Sequence, residues 1–128
     1  MEKILIVDDE KSLLDLLSRV FTKEGYQVQT TTSAQRAMEI IEKEDLDLLI
    51  ADIRLPEMSG MEILKRCREI RPDVPVIMIT AYGNMKQAIE ALKIGALDYI
   101  IKPFDIEELK ITVAKGMEKR RLEQENLL

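Results

Sequence analysis

At 128 residues, with 46% hydrophobic and 34% charged side chains, the chain has the length and balance of one globular domain. Its formal charge of −5 argues against nucleic-acid binding by this segment, because phosphate contacts need a basic face. The lack of any histidine excludes Ser-His-Asp and Cys-His catalysis and His-ligated zinc, and the single Cys67 is expected to be a small apolar filler.

No apolar run approaches the ~20 residues needed to cross a bilayer, and Met1-Glu2-Lys3 leads straight into Ile4-Leu5-Ile6-Val7 with no signal-peptide architecture. A cytoplasmic protein with protein partners and no membrane contact is expected. The first apolar run predicts a strand ending at Asp8-Asp9-Glu10. Leu13, Leu14, Leu17, Val20 and Phe21 then recur at helical spacing, and Gly25 fits the left-handed residue that closes a helix. Tyr26 to Thr30 reads as a short second strand around Val28. Ser33 is the predicted N-cap of a helix whose apolar face is Ala34, Ala37, Met38 and Ile41.

After the charged turn Glu42 to Asp45 comes Leu48-Leu49-Ile50-Ala51-Asp52-Ile53-Arg54-Leu55-Pro56. This run has the composition of a strand buried on both faces at the centre of a parallel sheet, and Pro56 is expected to end it. Ser59-Gly60 starts a third helix with Ile63, Leu64, Cys67 and Ile70 on one side, stopped by Arg71-Pro72-Asp73. Val76-Ile77-Met78-Ile79 ends in Thr80. Asn84 then reads as an N-cap with Gln87 in capping-box register, opening a helix with a narrow apolar stripe of Met85, Ile89 and Leu92. A fifth strand runs from Asp98 to Ile101, followed by Lys102-Pro103, and Asp105 with Glu108 predicts a second capping box for the last helix.

Strand and helix alternate five times, which predicts an α/β (βα)5 chain with right-handed crossovers and a doubly wound parallel sheet. A dinucleotide-binding strand order would need a glycine-rich turn after the first strand. That turn is Asp8-Asp9-Glu10, which would repel a pyrophosphate, so the flavodoxin-like order 2-1-3-4-5 is preferred. It places Asp8, Asp9 and Asp52 side by side at the carboxyl ends of strands 1 and 3, the crevice where open α/β sheets bind ligands.

Crowded carboxylates raise one another's pKa unless a cation lies among them, and magnesium, an oxygen-seeking hard ion, answers that need. Asp52 could then act as a nucleophile and form an acyl phosphate. Lys102 and the Thr80 hydroxyl would share the charge of the phosphoryl oxygens. Singly, each residue has a plainer explanation: a helix cap for Asp8 and Asp9, a turn hydroxyl for Thr80, a solvated strand end for Lys102. Their joint occurrence at the ends of strands 1, 3, 4 and 5 favours the chemistry.

With Ile6-Val7-Asp8-Asp9-Glu10, Asp52 with Leu55-Pro56 and Ser59-Gly60, Ile79-Thr80-Ala81, and Tyr99 with Lys102-Pro103-Phe104, the chain resembles the receiver domains of two-component response regulators. The resemblance implies that Asp52 is the phosphoacceptor and that Asp9, Asp52 and the backbone carbonyl of Arg54 ligate Mg2+, with Asp8 helping through water. It further implies that Lys102 contacts the phosphoryl group beside a cis Pro103 bond, and that Thr80 and Tyr99 form a switch pair. The implied donor is a histidine kinase or phosphotransfer protein. Arg54 and Tyr82 are expected to overhang the approach of a hydrolytic water and so to set the phosphorylated lifetime.

Tyr82-Gly83, Ala88-Ile89-Glu90-Ala91 and the charged ending from Met117 resemble receivers of nitrogen-regulatory (NtrC) type transcription activators that work with an alternative sigma factor. On that resemblance, residues 1–117 are the receiver and 118–128 begin a helical linker to an effector domain in the same full-length chain. Ile106, Leu109, Val113 and Met117 supply the last helix's packing face. The remainder is a candidate homodimer contact, although its spacing fails a strict heptad and a frayed solvated tail is the alternative. A single-domain phosphorelay intermediate is one competing function. A magnesium-dependent aspartyl phosphatase is another, although Arg54 stands where its acid-base aspartate would be expected. A binding module that is never phosphorylated is the third.

Overall fold

The computed structural model describes residues 1–127, the side chains of Tyr82, Asn126 and Leu127 excepted. Five strands, β1 (Lys3–Val7), β2 (Gln27–Thr31), β3 (Leu48–Asp52), β4 (Val76–Ala81) and β5 (Asp98–Lys102), alternate with five helices. The helices are α1 (Lys11–Lys23), α2 (Ala34–Lys43), α3 (Gly60–Ile70), α4 (Met85–Ile94) and α5 (Ile106–Leu127). All strand pairs are parallel, in the order β2-β1-β3-β4-β5.

Side chains alternate across each strand, so every central strand serves two cores. Leu5, Val7, Leu49, Ala51, Val76 and Met78 face α2, α3 and α4, where Ile40, Ile41, Ile63, Leu64 and Cys67 meet them. Ile4, Ile6, Leu48, Ile50, Ile77 and Ile79 face α1 and α5, against Leu14, Leu17, Phe21, Leu109, Val113 and Met117. A fully buried Leu or Ile side chain contributes about 2 kcal/mol. Exposed ion pairs such as Arg66–Glu42 contribute below about 1 kcal/mol, so this two-sided burial holds the sheet. Cys67 is fully buried, and burial pushes its thiol up to about 11, in keeping with a filler rather than a nucleophile.

Local signals hold at most helix ends. Gly25, at φ 99°, closes α1, Ser33 accepts from Arg36 N–H at 3.1 Å, and Asp105 accepts from Glu107 N–H at 2.9 Å. Four expectations are corrected. Strand β3 stops at Asp52, four residues before Pro56, because from there the backbone turns to meet α3. Among the described residues Glu108 makes no reciprocal capping bond at the start of α5; its carbonyl instead accepts from Thr112 Oγ1. Asn84 makes no side-chain cap bond, since a 3₁₀ turn, Tyr82–Asn84, feeds directly into α4. Helix α4 packs on Ala88 and Ala91, both fully buried, and leaves Ile89 and Leu92 about half exposed. Small residues let this helix approach the sheet closely, so the larger apolar side chains fall outside the contact.

Helix α5 is continuous over 22 residues. Gly116 lies where it crosses the sheet, and a Cβ there would sit 3.0 Å from both Leu48 Cδ1 and Leu97 Cδ2. Beyond Met117, Arg120 bridges Asp47 and Asp73, and Arg121 pairs with Glu2. These contacts fasten the extension to the sheet edge opposite Asp52. No described helix is long and apolar enough to cross a membrane.

Candidate functional site

The register brings the candidate residues to one edge. Val7 pairs with Ala51, Asp52 with Ile79 and Ala81 with Lys102, so the residues just beyond β1 face the ends of β3 and β5. Asp8 is fully buried and Asp52 is 6% exposed, whereas Asp9 and Glu10 reach solvent.

Lys102 is the hub. Its Nζ donates to Asp52 Oδ2 at 2.9 Å and to Glu10 Oε1 at 3.1 Å, and lies 2.9 Å from Asp8 Oδ2. Asp8 Oδ2 is buried, and this ammonium is the cation set against it. The other oxygens are held by backbone: Asp8 Oδ1 accepts from Glu10 N–H at 2.8 Å, and Asp52 Oδ1 from Arg54 N–H at 2.9 Å. Burial pushes the Asp8 carboxyl up to about 6, against the opposing pull of the Glu10 N–H and Lys102. Burial alone would lower the Lys102 pKa, but its bonds to Asp52, Asp8 and Glu10 outweigh it and the net shift is upward.

Asp8, Asp9 and Glu10 offer carboxylate oxygens within 4.8 Å of one another. The donor set is all oxygen, it includes the fully buried Asp8 carboxylate, and it fits a hard divalent cation such as Mg2+. Asp52 lies outside this group of three, with its oxygens turned to Lys102 and Arg54 N–H. Glu10 is the residue that sequence reasoning passed over. In the sequence it stands as the last residue of the acidic turn with no role of its own, and its pairing with a lysine 92 positions away has no local signal.

The remaining candidates lie close by. Thr80 is fully buried and its hydroxyl donates to the Ala81 carbonyl at 3.2 Å, making no bond to Asp52 or Lys102 in this state. Tyr99 is half-buried against the core beneath α4, one strand away and paired with Met78. The Lys102–Pro103 bond is cis. Arg54 is exposed, and the expected overhang of the Tyr82 side chain lies outside the described residues. An open groove of about 700 Å3 flanks the site, lined in part by Asp9, Arg54, Met58, Asn84 and Lys86.

Comparison with known proteins gives the family. A family model described as response regulator receiver domain matches residues 4–114. The chain is 45% identical over 114 residues to sporulation initiation phosphotransferase F of Bacillus subtilis, covering 89% of this chain and 92% of that protein. It is 37% identical over 125 residues to regulatory protein AtoC of Escherichia coli, covering 98% of this chain and only 27% of that one. A crystal structure of a response regulator receiver domain protein from Clostridium thermocellum superposes with a TM-score of 0.90 at 31% identity, covering 95% of this chain and 98% of that one. The chain belongs to the response regulator receiver domain family. It therefore has the fold of a two-component signalling switch, a unit that relatives such as AtoC carry within a much longer chain.

Proposed function

We propose that this protein accepts a phosphoryl group on Asp52 from a histidine kinase or phosphotransfer protein, in an Mg2+-dependent reaction catalysed by its own site, and relays that state to an output. The observation that carries this reading is a nearly buried carboxylate at the end of the central strand, held 2.9 Å from Lys102 beside a second buried carboxylate. Asp52 oxygen would attack phosphorus while the bond from phosphorus to the donor's leaving group breaks, giving an acyl phosphate and releasing the donor. Phosphoryl transfer needs chiefly positioning and neutralisation of oxygen charge. Lys102 supplies a cation aimed at Asp52, and Arg54 N–H fixes the other carboxylate oxygen. Bound Mg2+ would neutralise phosphoryl charge, and Asp8, Asp9 and Glu10 are the carboxylates grouped to hold it, with Asp52 and the Arg54 carbonyl as further ligands implied by the family. We place the protein in the cytoplasm, where such kinases deliver phosphoryl groups.

Incubation with acetyl phosphate and Mg2+ followed by intact-mass measurement tests the reading. One stable phosphoryl increment per chain supports it. Many turnovers of phosphate release without labelling would mark a phosphatase, and neither outcome would leave a binding module. Asp9→Ala is expected to weaken Mg2+ binding about tenfold or more, as loss of a charged ligand should, read by following amide NMR shifts during titration; unchanged affinity would remove Asp9 from the ligand set.

We further propose that phosphorylation draws the Thr80 hydroxyl away from the Ala81 carbonyl and lets Tyr99 turn inward. That would convert a local contact into a changed surface at α4 and β5. Thr80→Ala should still accept phosphate, and the amide shifts of α4 and β5 on phosphorylation should shrink markedly. Identical shifts in mutant and wild type would place the coupling elsewhere.

Two outputs have support. The continuous α5, fastened by Arg120 and Arg121, suits residues 118–128 as the start of a rigid linker to an effector domain such as a transcription activator's, a location where homodimer contacts could also form. The 45% identity to sporulation initiation phosphotransferase F over nearly that protein's whole length favours a single-domain phosphorelay intermediate instead.

A further inference from the structure

The three carboxylates around Lys102 differ sharply in burial. An ammonium has three N–H donors, and among its partners Asp8 is fully buried whereas the Glu10 side chain is 58% exposed. An unpaired buried oxygen is costly, and an exposed ion pair gains little. The ammonium lies 2.9 Å from Asp8 and from Asp52 and 3.1 Å from Glu10, so its three donors are all engaged, and the bond to the exposed Glu10 is the one that a new partner displaces at least cost. Glu10 is also fixed where it can act this way. Its N–H donates to Asp8 Oδ1, its carbonyl accepts from Leu13 and Leu14 N–H at the start of α1, and its side chain makes no cap bond. It is free to reach Lys102 or swing into water.

Building on the phosphoacceptor reading, we propose that Glu10 is a positioning residue that holds one donor of Lys102 in the resting protein and gives it up when a phosphoryl group on Asp52 takes that donor. While it holds, Glu10 keeps the ammonium at the mouth of the site. Its charge assists the cation and opposes an anionic phosphodonor. The two effects on one reaction therefore have opposite signs.

The test compares wild type with Glu10→Gln and Glu10→Ala. In both variants without metal, the Lys102 ε-methylene NMR signals are expected to shift, reporting a changed ammonium partner. Mg2+ should bind several-fold more weakly. The labelling rate from acetyl phosphate at saturating Mg2+ should rise about two- to fivefold, the size expected for removing one exposed charge. A merely structural role would not weaken binding while speeding transfer. A rate unchanged or slower at saturating Mg2+, or unmoved Lys102 signals, would overturn the proposal while labelling of the wild type left the phosphoacceptor reading standing. Absence of labelling in the wild type would overturn both.

Discussion

Gly60→Ala is expected to destabilise the protein by about 3 kcal/mol or more, toward the upper end of what single substitutions do. An added Cβ would lie 2.0 Å from the Asp52 carbonyl oxygen, 2.8 Å from its carbonyl carbon and 2.9 Å from Ile53 Cα. All three are backbone atoms of the central strand's end and cannot swing aside. Gly60 N–H donates to the Ile53 carbonyl at 2.7 Å, so the first turn of α3 is pressed against the segment that carries Asp52, the proposed phosphoacceptor. Relief requires moving either α3 or Asp52, and labelling from acetyl phosphate should fall with stability. Gly83→Ala, where a Cβ meets nothing within 4 Å, is the matched control and should change stability by under about 0.5 kcal/mol. Urea unfolding of both checks this; equal midpoints would show that the β3–α3 junction relaxes freely.

Asp8→Asn is expected to act in the opposite direction and stabilise the metal-free protein at neutral pH. Burial lifts the Asp8 carboxyl from an ordinary value of 3.8 to about 6, so the folded state binds its proton more tightly than the unfolded state. The carboxyl's favourable contribution is therefore complete below about pH 4 and is lost as pH rises through about 6. At 1.36 kcal/mol per pH unit, that loss is on the order of 2–3 kcal/mol. Asparagine carries no charge to bury and retains an acceptor for the Glu10 N–H. Unfolding free energies of the two proteins should converge near pH 4 and separate above pH 6, with Mg2+ narrowing the gap. Parallel curves over that range would mean that Lys102 already compensates Asp8 in full.

The fold was legible because its signals are repeated and local. Four apolar runs ending in chemistry-bearing residues define the strands, and Ser33, Gly25 and Asp105 mark helix ends by their own backbone preferences. What the sequence misassigned depends on partners far along the chain. The stripe Met85, Ile89, Leu92 has helical spacing, yet Ala88 and Ala91 form the contact because α4 must lie close to the sheet. Gly60 read as a helix start, and only the neighbouring Asp52 carbonyl explains why no side chain fits. At the site, Asp8, Asp52 and Lys102 follow from strand order and register. The turn of Glu10 toward Lys102, and the backbone N–H of Arg54 on Asp52, are set by loop geometry that periodicity does not encode.

The most direct measurement traps the acyl phosphate where it forms. After labelling with acetyl phosphate and Mg2+, borohydride reduction converts a phosphorylated aspartate to homoserine, and peptide mass spectrometry reads its position. Phosphorylation of this receiver predicts homoserine at position 52, dependent on Mg2+, with none in Asp52→Asn. Homoserine at position 8 or 9 instead, or equal labelling of Asp52→Asn, would contradict the assignment of Asp52 as phosphoacceptor.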